Sequence, residues 1–210
     1  MNNTASGPTD RELRLVGAVV GKRVLDLGCG EGQAAITFAK QGAVVIAVDG
    51  SRAVLERGRE RAEAEEVKVE FREGDLADLA FLRADSIDAV FSADALSEVE
   101  DIARVFRQVQ RVLRPHASFV FVHEHPIALC LGPNGEIAHS YFDPGPIVVD
   151  DGAGGTRQLY TRNVSELFTE LGRAGFRVDT ILEPRPLRGS DGLGEKLPST
   201  IVWRARKEGS

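Results

Sequence analysis

A chain of 210 residues, 42% hydrophobic and 28% charged, is long enough for one domain with a full hydrophobic core and too evenly composed for a disordered or fibrous protein. With 26 Lys and Arg against 32 Asp and Glu, the net charge of -6 works against a long polyanionic partner, so free nucleic acid is not an expected substrate. Two cysteines in unlike contexts, Cys29 and Cys130, fit a reduced, cytoplasmic protein, and no apolar run reaches the roughly 18 residues of a membrane span.

In chain order, the polar, acid-containing start from Met1 to Asp10 does not read as a secretory leader, and residues 1–20 hold one helix over Thr9–Val19. Five apolar, β-branched runs follow, at Arg23–Gly28, Ala43–Val48, Val67–Arg72, Ser86–Ser92 and Ser118–His123. Segments of helical period separate them, which is the pattern of βαβ units and a parallel sheet. Arg57–Glu66 reads as a solvated helix face. Asp101–Arg114 reads as a helix, with Ile102, Val105, Phe106, Val109, Val112 and Leu113 on one face and Pro115 as a stop.

From Pro126 to Tyr160 the chain carries Pro, Gly, Asn and Asp with isolated aromatics and no clear period. An irregular insertion of this length in a compact domain reads as a cover over an active site. His139, Tyr141, Phe142, Asp143 and Tyr160 could line a pocket or simply pack a surface loop. A helix over Asn163–Ala174 ends at Gly175, and strands at Phe176–Leu182 and Thr200–Ala205 close the chain. Only short connections through Pro184, Pro186, Gly189, Gly192 and Gly194 join that last pair, so it is predicted to be an antiparallel hairpin. The whole chain, 1–210, is expected to be one α/β domain with a mainly parallel seven-stranded sheet.

The segment Val24-Leu25-Asp26-Leu27-Gly28-Cys29-Gly30-Glu31-Gly32-Gln33 is an apolar strand that enters a glycine turn and opens a helix. Such a turn lets backbone approach a ligand closely. The dinucleotide spacing G-x-G-x-x-G is missed by one position, because Gly32 is followed by Gln33. Asp26 and Glu31 also bring two carboxylates to the turn, which oppose a pyrophosphate but suit a ligand with an ammonium and a sulfonium, and so favour S-adenosylmethionine. Cys29 is read as a small packing residue of the turn, without chemistry of its own.

Through this turn the chain resembles the class I S-adenosylmethionine-dependent methyltransferase superfamily, from about Lys22 to Arg206. The resemblance implies a Rossmann-like, doubly wound fold with S-adenosylmethionine as cofactor. It also implies a cofactor site made of Asp26, Gly28, Cys29 and Gly30. Asp49, about 20 residues beyond the turn, would receive both ribose hydroxyls, with Gly50 and Ser51 beside it. Asp75 would take the adenine amine, Leu76 would offer its N–H and an apolar surface to the ring, and a carbonyl near Ser92 would accept from the ammonium.

Phe91–Asp101 and the helix behind it resemble the branch that methylates small molecules, including quinones and natural products. Where many of those relatives carry a His pair this chain has Ser97-Glu98, and where many have Pro-Gly-Gly it has Pro115-His116-Ala117.

The run Phe121-Val122-His123-Glu124-His125-Pro126 falls where substrates sit in such sheets, and strand alternation puts His123 and His125 on one face. Histidines at strand ends often only hydrogen-bond a neighbour. For an acceptor that must lose a proton, Glu98, His123 and His125 are the candidate catalytic groups. No metal is expected. The expected partner is a small-molecule methyl acceptor, with no nucleic acid or membrane, and a homodimer is compatible with the chain. A macromolecular methyltransferase acting on protein or RNA, and a non-catalytic S-adenosylmethionine-binding module, stand as alternatives.

Overall fold

A computed structural model describes residues 10–132, 134–143, 145–150, 154–185 and 196–209. Its centre is a seven-stranded sheet in the order β3-β2-β1-β4-β5-β9-β8, formed by β1 (Arg23–Leu27), β2 (Val44–Asp49), β3 (Val69–Glu73), β4 (Ile87–Ala93), β5 (Leu113–Glu124), β8 (Phe176–Leu182) and β9 (Thr200–Lys207). The first five run parallel, and β9 lies antiparallel to both β5 and β8, as the short connections require. The strand order reverses between β1 and β4, and it is beyond the carboxyl ends at such a switch point that open α/β sheets bind ligands.

Both faces are covered. Helices α1 (Asp10–Leu15), α2 (Gln33–Lys40) and α3 (Arg52–Ala64) close one apolar layer around Leu13, Phe38, Leu55 and Phe91, while α4 (Ile102–Val112) and α6 (Val164–Arg173) close the other around Phe106, Phe119, Leu171 and Trp203. Ile102, Val105, Phe106, Val109 and Val112 are all buried, so the three- and four-residue spacing of α4 is its packed face. Both helices on this layer are capped. Asp101 accepts from the Arg104 N–H, and Asn163 with Glu166 forms a reciprocal capping box.

The sequence-based boundaries of two helices differ from the structure. The α4 helix stops at Val112 rather than Arg114, because Leu113 already pairs with Ile87 as the first residue of β5. The N-terminal helix covers Asp10–Leu15, within the expected Thr9–Val19, and residue 9 lies outside the described residues.

The insertion is less irregular than its composition suggests. It contains a short helix, α5 (Pro126–Leu129), and an antiparallel hairpin of β6 (Gly145–Asp150) and β7 (Thr156–Thr161). The alternate half-burial along β6 is the period of a strand, and the Gly, Pro and Asp within it conceal that period from a composition-based reading. The hairpin packs against a 3-10 turn, Ala95–Glu98, that follows β4, with Leu159 fully buried. Of the connection between β8 and β9, residues 186–195, which include Pro186, Gly189, Gly192 and Gly194, lie outside the described residues. Among the described residues no helix is long and apolar enough to cross a membrane.

Candidate functional site

The glycine turn joins β1 to α2, and its first two glycines stand in different surroundings. Gly28 has φ +73°, and a Cβ there would overlap the Cβ of Ala95, so the turn after β4 can approach only a glycine. Gly30 has φ +52°, but the space where its Cβ would stand is open. The N–H groups of Gly28 and Cys29 donate to the Val48 carbonyl at 2.8 and 3.0 Å, which fastens the turn over the end of β2. Cys29 is half-buried, and burial together with the neighbouring Asp26 and Asp49 holds its thiol protonated.

Asp26 lies beneath this turn rather than on its surface. It is 2% exposed, and its Oδ2 accepts the Ala35 N–H of the first turn of α2 at 3.0 Å. Burial pushes its pKa up to about 7, opposed by the Ala35 hydrogen bond and reinforced by the charge of Asp49.

Asp49, at the end of β2, is half-buried and held by backbone on both sides. Its Oδ2 accepts from the Gly30 N–H and its Oδ1 from the Ser51 N–H, each at 2.9 Å. A carboxylate offers about four lone-pair sites, so two remain, one on each oxygen, for a pair of neighbouring hydroxyls. Gly50 beside it faces open space. After β3, Asp75 is exposed and accepts the Ala77 N–H on Oδ1 at 2.8 Å, leaving Oδ2 available, while half-buried Leu76 approaches the position of Gly28. The turn, Asp49, Asp75 and Leu76 therefore line one continuous edge.

At the ends of β4 and β5 side chains dominate. Ser92 is fully buried and its hydroxyl has no hydrogen-bond partner among the described residues. A narrow cleft of about 20 Å³, room for roughly one water, opens nearby. It is walled by Leu96, Phe121, His123, Glu124, Tyr160 and Arg162, among others.

His123 has both ring nitrogens engaged. Its Nδ1–H donates to the Glu124 carbonyl at 2.8 Å, and Nε2 accepts the Trp203 indole N–H at 3.2 Å. Burial lowers its pKa to about 4, so it is neutral and has no free lone pair for an incoming proton. In place of the base expected at 123, the structure has a buried wall of the cleft stacked on Phe121. His125 is similarly occupied. Its Nδ1 accepts the Ile127 N–H at the start of α5, and its Nε2–H donates to Glu183 at 3.0 Å. Of the three expected catalytic groups, Glu98 is the exposed one, 3.5 Å from Arg157.

Asp94 and Arg157 were not singled out by the sequence. Asp94 follows β4 in a left-handed conformation, φ 62°, and burial together with the charge of Glu124 raises its pKa to about 6. Arg157 reaches from β7 to Glu124 at 2.6 Å as well as to Glu98, and so ties the hairpin to the end of the sheet. A non-glycine residue at positive φ next to a strand end is a structural signal with no counterpart in composition, and Arg157 sits in a segment whose period was hidden.

Comparison with known proteins points in one direction. A family model described as a methyltransferase domain matches residues 24–116. A crystal structure of an S-adenosylmethionine dependent methyltransferase from Mesorhizobium loti superposes with a TM-score of 0.80 at 31% identity, covering 93% of this chain and 96% of that one. A ubiquinone biosynthesis O-methyltransferase from Acinetobacter baumannii is 34% identical over 113 residues, 52% of this chain and 48% of the relative. A demethylmenaquinone methyltransferase from Clavibacter sepedonicus is 38% identical over 107 residues, 51% of this chain and 43% of that protein. The chain thus matches about half the length of these curated relatives at most.

Proposed function

Given that the chain belongs to the class I S-adenosylmethionine-dependent methyltransferases, we propose that it transfers the methyl group to an O, N or S atom of a small molecule, of the kind of a quinone-like metabolite or natural product. The observation that carries this reading is the narrow cleft at the ends of β4 and β5, walled by apolar and aromatic side chains and closed by the β6–β7 hairpin. Walls of that character suit a small, largely apolar acceptor, for which the cleft, with room for about one water as it stands, has to widen. The names of the two quinone-pathway relatives, each matched over half of this chain, agree with it. The net charge of -6 gives no support to a polyanionic substrate, and a cytoplasmic location accords with the unpaired cysteines.

The residues along the neighbouring edge fit the cofactor. Asp49 has two lone-pair sites left for the ribose hydroxyls, with Gly50 and Ser51 shaping the approach, and Asp75 and Leu76 flank the place of the adenine. Gly28, Cys29 and Gly30 give close backbone access, Asp26 braces the turn from beneath through the Ala35 N–H, and a backbone carbonyl near Ser92 would accept from the ammonium end. When bound, S-adenosylmethionine supplies an electrophilic methyl group on a cationic sulfur.

The protein's own work is chiefly to hold the acceptor atom in line with that methyl group and to exclude water, tasks assigned here to the walls of the cleft and the hairpin above it. The test is a screen for transfer of labelled methyl to hydroquinones, catechols, arylamines and thiols beside transfer RNA and whole-cell protein. Transfer to one of the small classes is expected. Labelling of RNA or protein alone would reassign the acceptor, and cofactor binding without transfer to any of them would leave a binding module.

A further inference from the structure

Glu124 occupies a distinctive position at the end of β5. Its Oε1 accepts from Arg157 at 2.6 Å, while its Oε2 is shut off from solvent and has no partner among the described residues. A buried carboxylate oxygen without a donor is unfavourable, and a donor brought by a ligand would complete the arrangement. The same side chain borders the cleft, opposite Phe121, Tyr160 and Leu96, whereas His123 next to it has no nitrogen to spare. A mainly apolar cleft bordered by one unsatisfied acceptor is the complement of an apolar molecule that carries a hydroxyl.

We propose that Glu124 receives the hydroxyl of the methyl acceptor at Oε2 and takes its proton during transfer, and that the acceptor is a phenol or enol. This rests on the methyltransferase reading above and names the acceptor class within it. In the reaction the acceptor oxygen gains the methyl carbon and loses its proton to Glu124 Oε2. The bond broken is that between the methyl carbon and the cofactor sulfur, whose electron pair stays on sulfur.

The charge of Glu124 is already met by Arg157 at Oε1, so Oε2 lacks a hydrogen-bond donor rather than a second cation. Asp94 after β4 and Glu98 of the 3-10 turn are the neighbouring acids, with Glu12 of α1 farther off, while Arg157 of β7 and Arg162 stand on the other side, and both nitrogens of His125 are taken by Ile127 and Glu183. Thiol and carboxylate acceptors, ionised to a large extent near neutral pH, have little use for a base. Burial raises the pKa of Glu124 against the lowering influence of Arg157, which suits a group that must take up a proton. Arg157 acts through Glu124, by fixing Oε1 and leaving Oε2 for the acceptor.

The test is a calorimetric comparison of catechol with its dimethyl ether, veratrole, on the full chain saturated with S-adenosylhomocysteine. The wild type is expected to bind catechol about tenfold or more tightly than veratrole, since a site built to receive a hydroxyl rejects the analogue that lacks it. In Glu124→Gln the amide oxygen goes to Arg157 and the NH₂ faces the cleft, so the preference should vanish while S-adenosylhomocysteine affinity is unchanged. In Arg157→Gln the carboxylate loses its cation, so the fall in catechol affinity on acidification should begin at higher pH than in the wild type.

Equal affinity for the two probes in the wild type, including no measurable binding of either, overturns the proposal. So does a preference that survives in Glu124→Gln, or a pH dependence that Arg157→Gln leaves in place. Failure of the wild type to bind S-adenosylhomocysteine would instead remove the methyltransferase reading, and this inference with it.

Discussion

The two halves of the sheet's carboxyl edge are built from different materials. On the β1–β3 side the surface is largely backbone, with glycines at positive φ and carboxylates whose oxygens are already steadied by N–H groups, as in Asp49 between Gly30 and Ser51. On the β4–β5 side it is made of side chains from distant segments, with Glu124 from β5, Glu98 from the 3-10 turn and Arg157 from the hairpin meeting at one place. A backbone-built edge suits a ligand that never varies, because it depends on few side-chain identities. A side-chain-built edge can be changed one residue at a time, which suits an acceptor that differs between relatives.

The largest effect should come from the backbone-built side. Gly28→Ala puts a methyl group into Ala95 and forces φ +73° on an L-residue, so thermal unfolding should show a loss of about 3–4 kcal/mol. Gly30→Ala is the control that sharpens this. With open space at its Cβ it should lose only about 1 kcal/mol, from its left-handed conformation. Equal losses at 28 and 30 would mean that the close approach of the β4 turn is not what the first glycine is for.

One buried group from each side, Asp26 and His123, should also titrate with opposite sign. Asp26 has a folded pKa of about 7 against 3.8 in an unfolded chain, so the folded state holds the proton longer and stability falls as pH rises from about 4 to 7. His123 has a folded pKa of about 4 against 6.5, so the unfolded state takes the proton first and stability falls as pH drops from about 6.5 to 4. Each effect is on the order of 3 kcal/mol. Denaturant unfolding across that range should show Asp26→Asn removing the decline toward neutral pH and His123→Gln removing the decline toward acid. A profile unmoved by either substitution would break the contrast.

The smallest effect is expected at His125. Its removal in His125→Ala takes away the cap on α5, a loss of about 1 kcal/mol. Cofactor affinity should be unchanged, and turnover should fall through displacement of α5 and of Leu129, which borders the cleft. A drop in cofactor affinity of similar size would place His125 on the wrong side of the comparison.

The same difference explains what could be read from the sequence. The sheet, its antiparallel end and the face of α4 follow from alternation, from the 3.6-residue period and from connection length, all local properties of the chain. The glycine turn was legible for a similar reason, since close approach of backbone demands glycines at fixed spacing within ten residues. The acceptor side depends on contacts between residues far apart in sequence. Nothing in the neighbourhood of Arg157 announces Glu124, 33 positions away, and nothing beside His123 announces that Trp203, 80 positions away, takes its second nitrogen. The two histidines stand out because imidazole is the commonest proton carrier, yet in each one nitrogen is taken by a chain neighbour and the other by a distant partner, Trp203 or Glu183. Glu124, between them, carries no local mark that separates it from an ordinary solvated carboxylate at a strand end.

The central claim is that the backbone-built edge holds S-adenosylmethionine with Asp49 as its ribose clamp. The most direct test is calorimetric titration of the wild type and Asp49→Ala with S-adenosylmethionine, S-adenosylhomocysteine and NAD. The wild type should bind the first two and not the third, and Asp49→Ala should weaken both by about 1.5–3 kcal/mol, the usual loss for hydrogen bonds to a charged group. Undiminished affinity in Asp49→Ala, or binding of NAD alone, would contradict it.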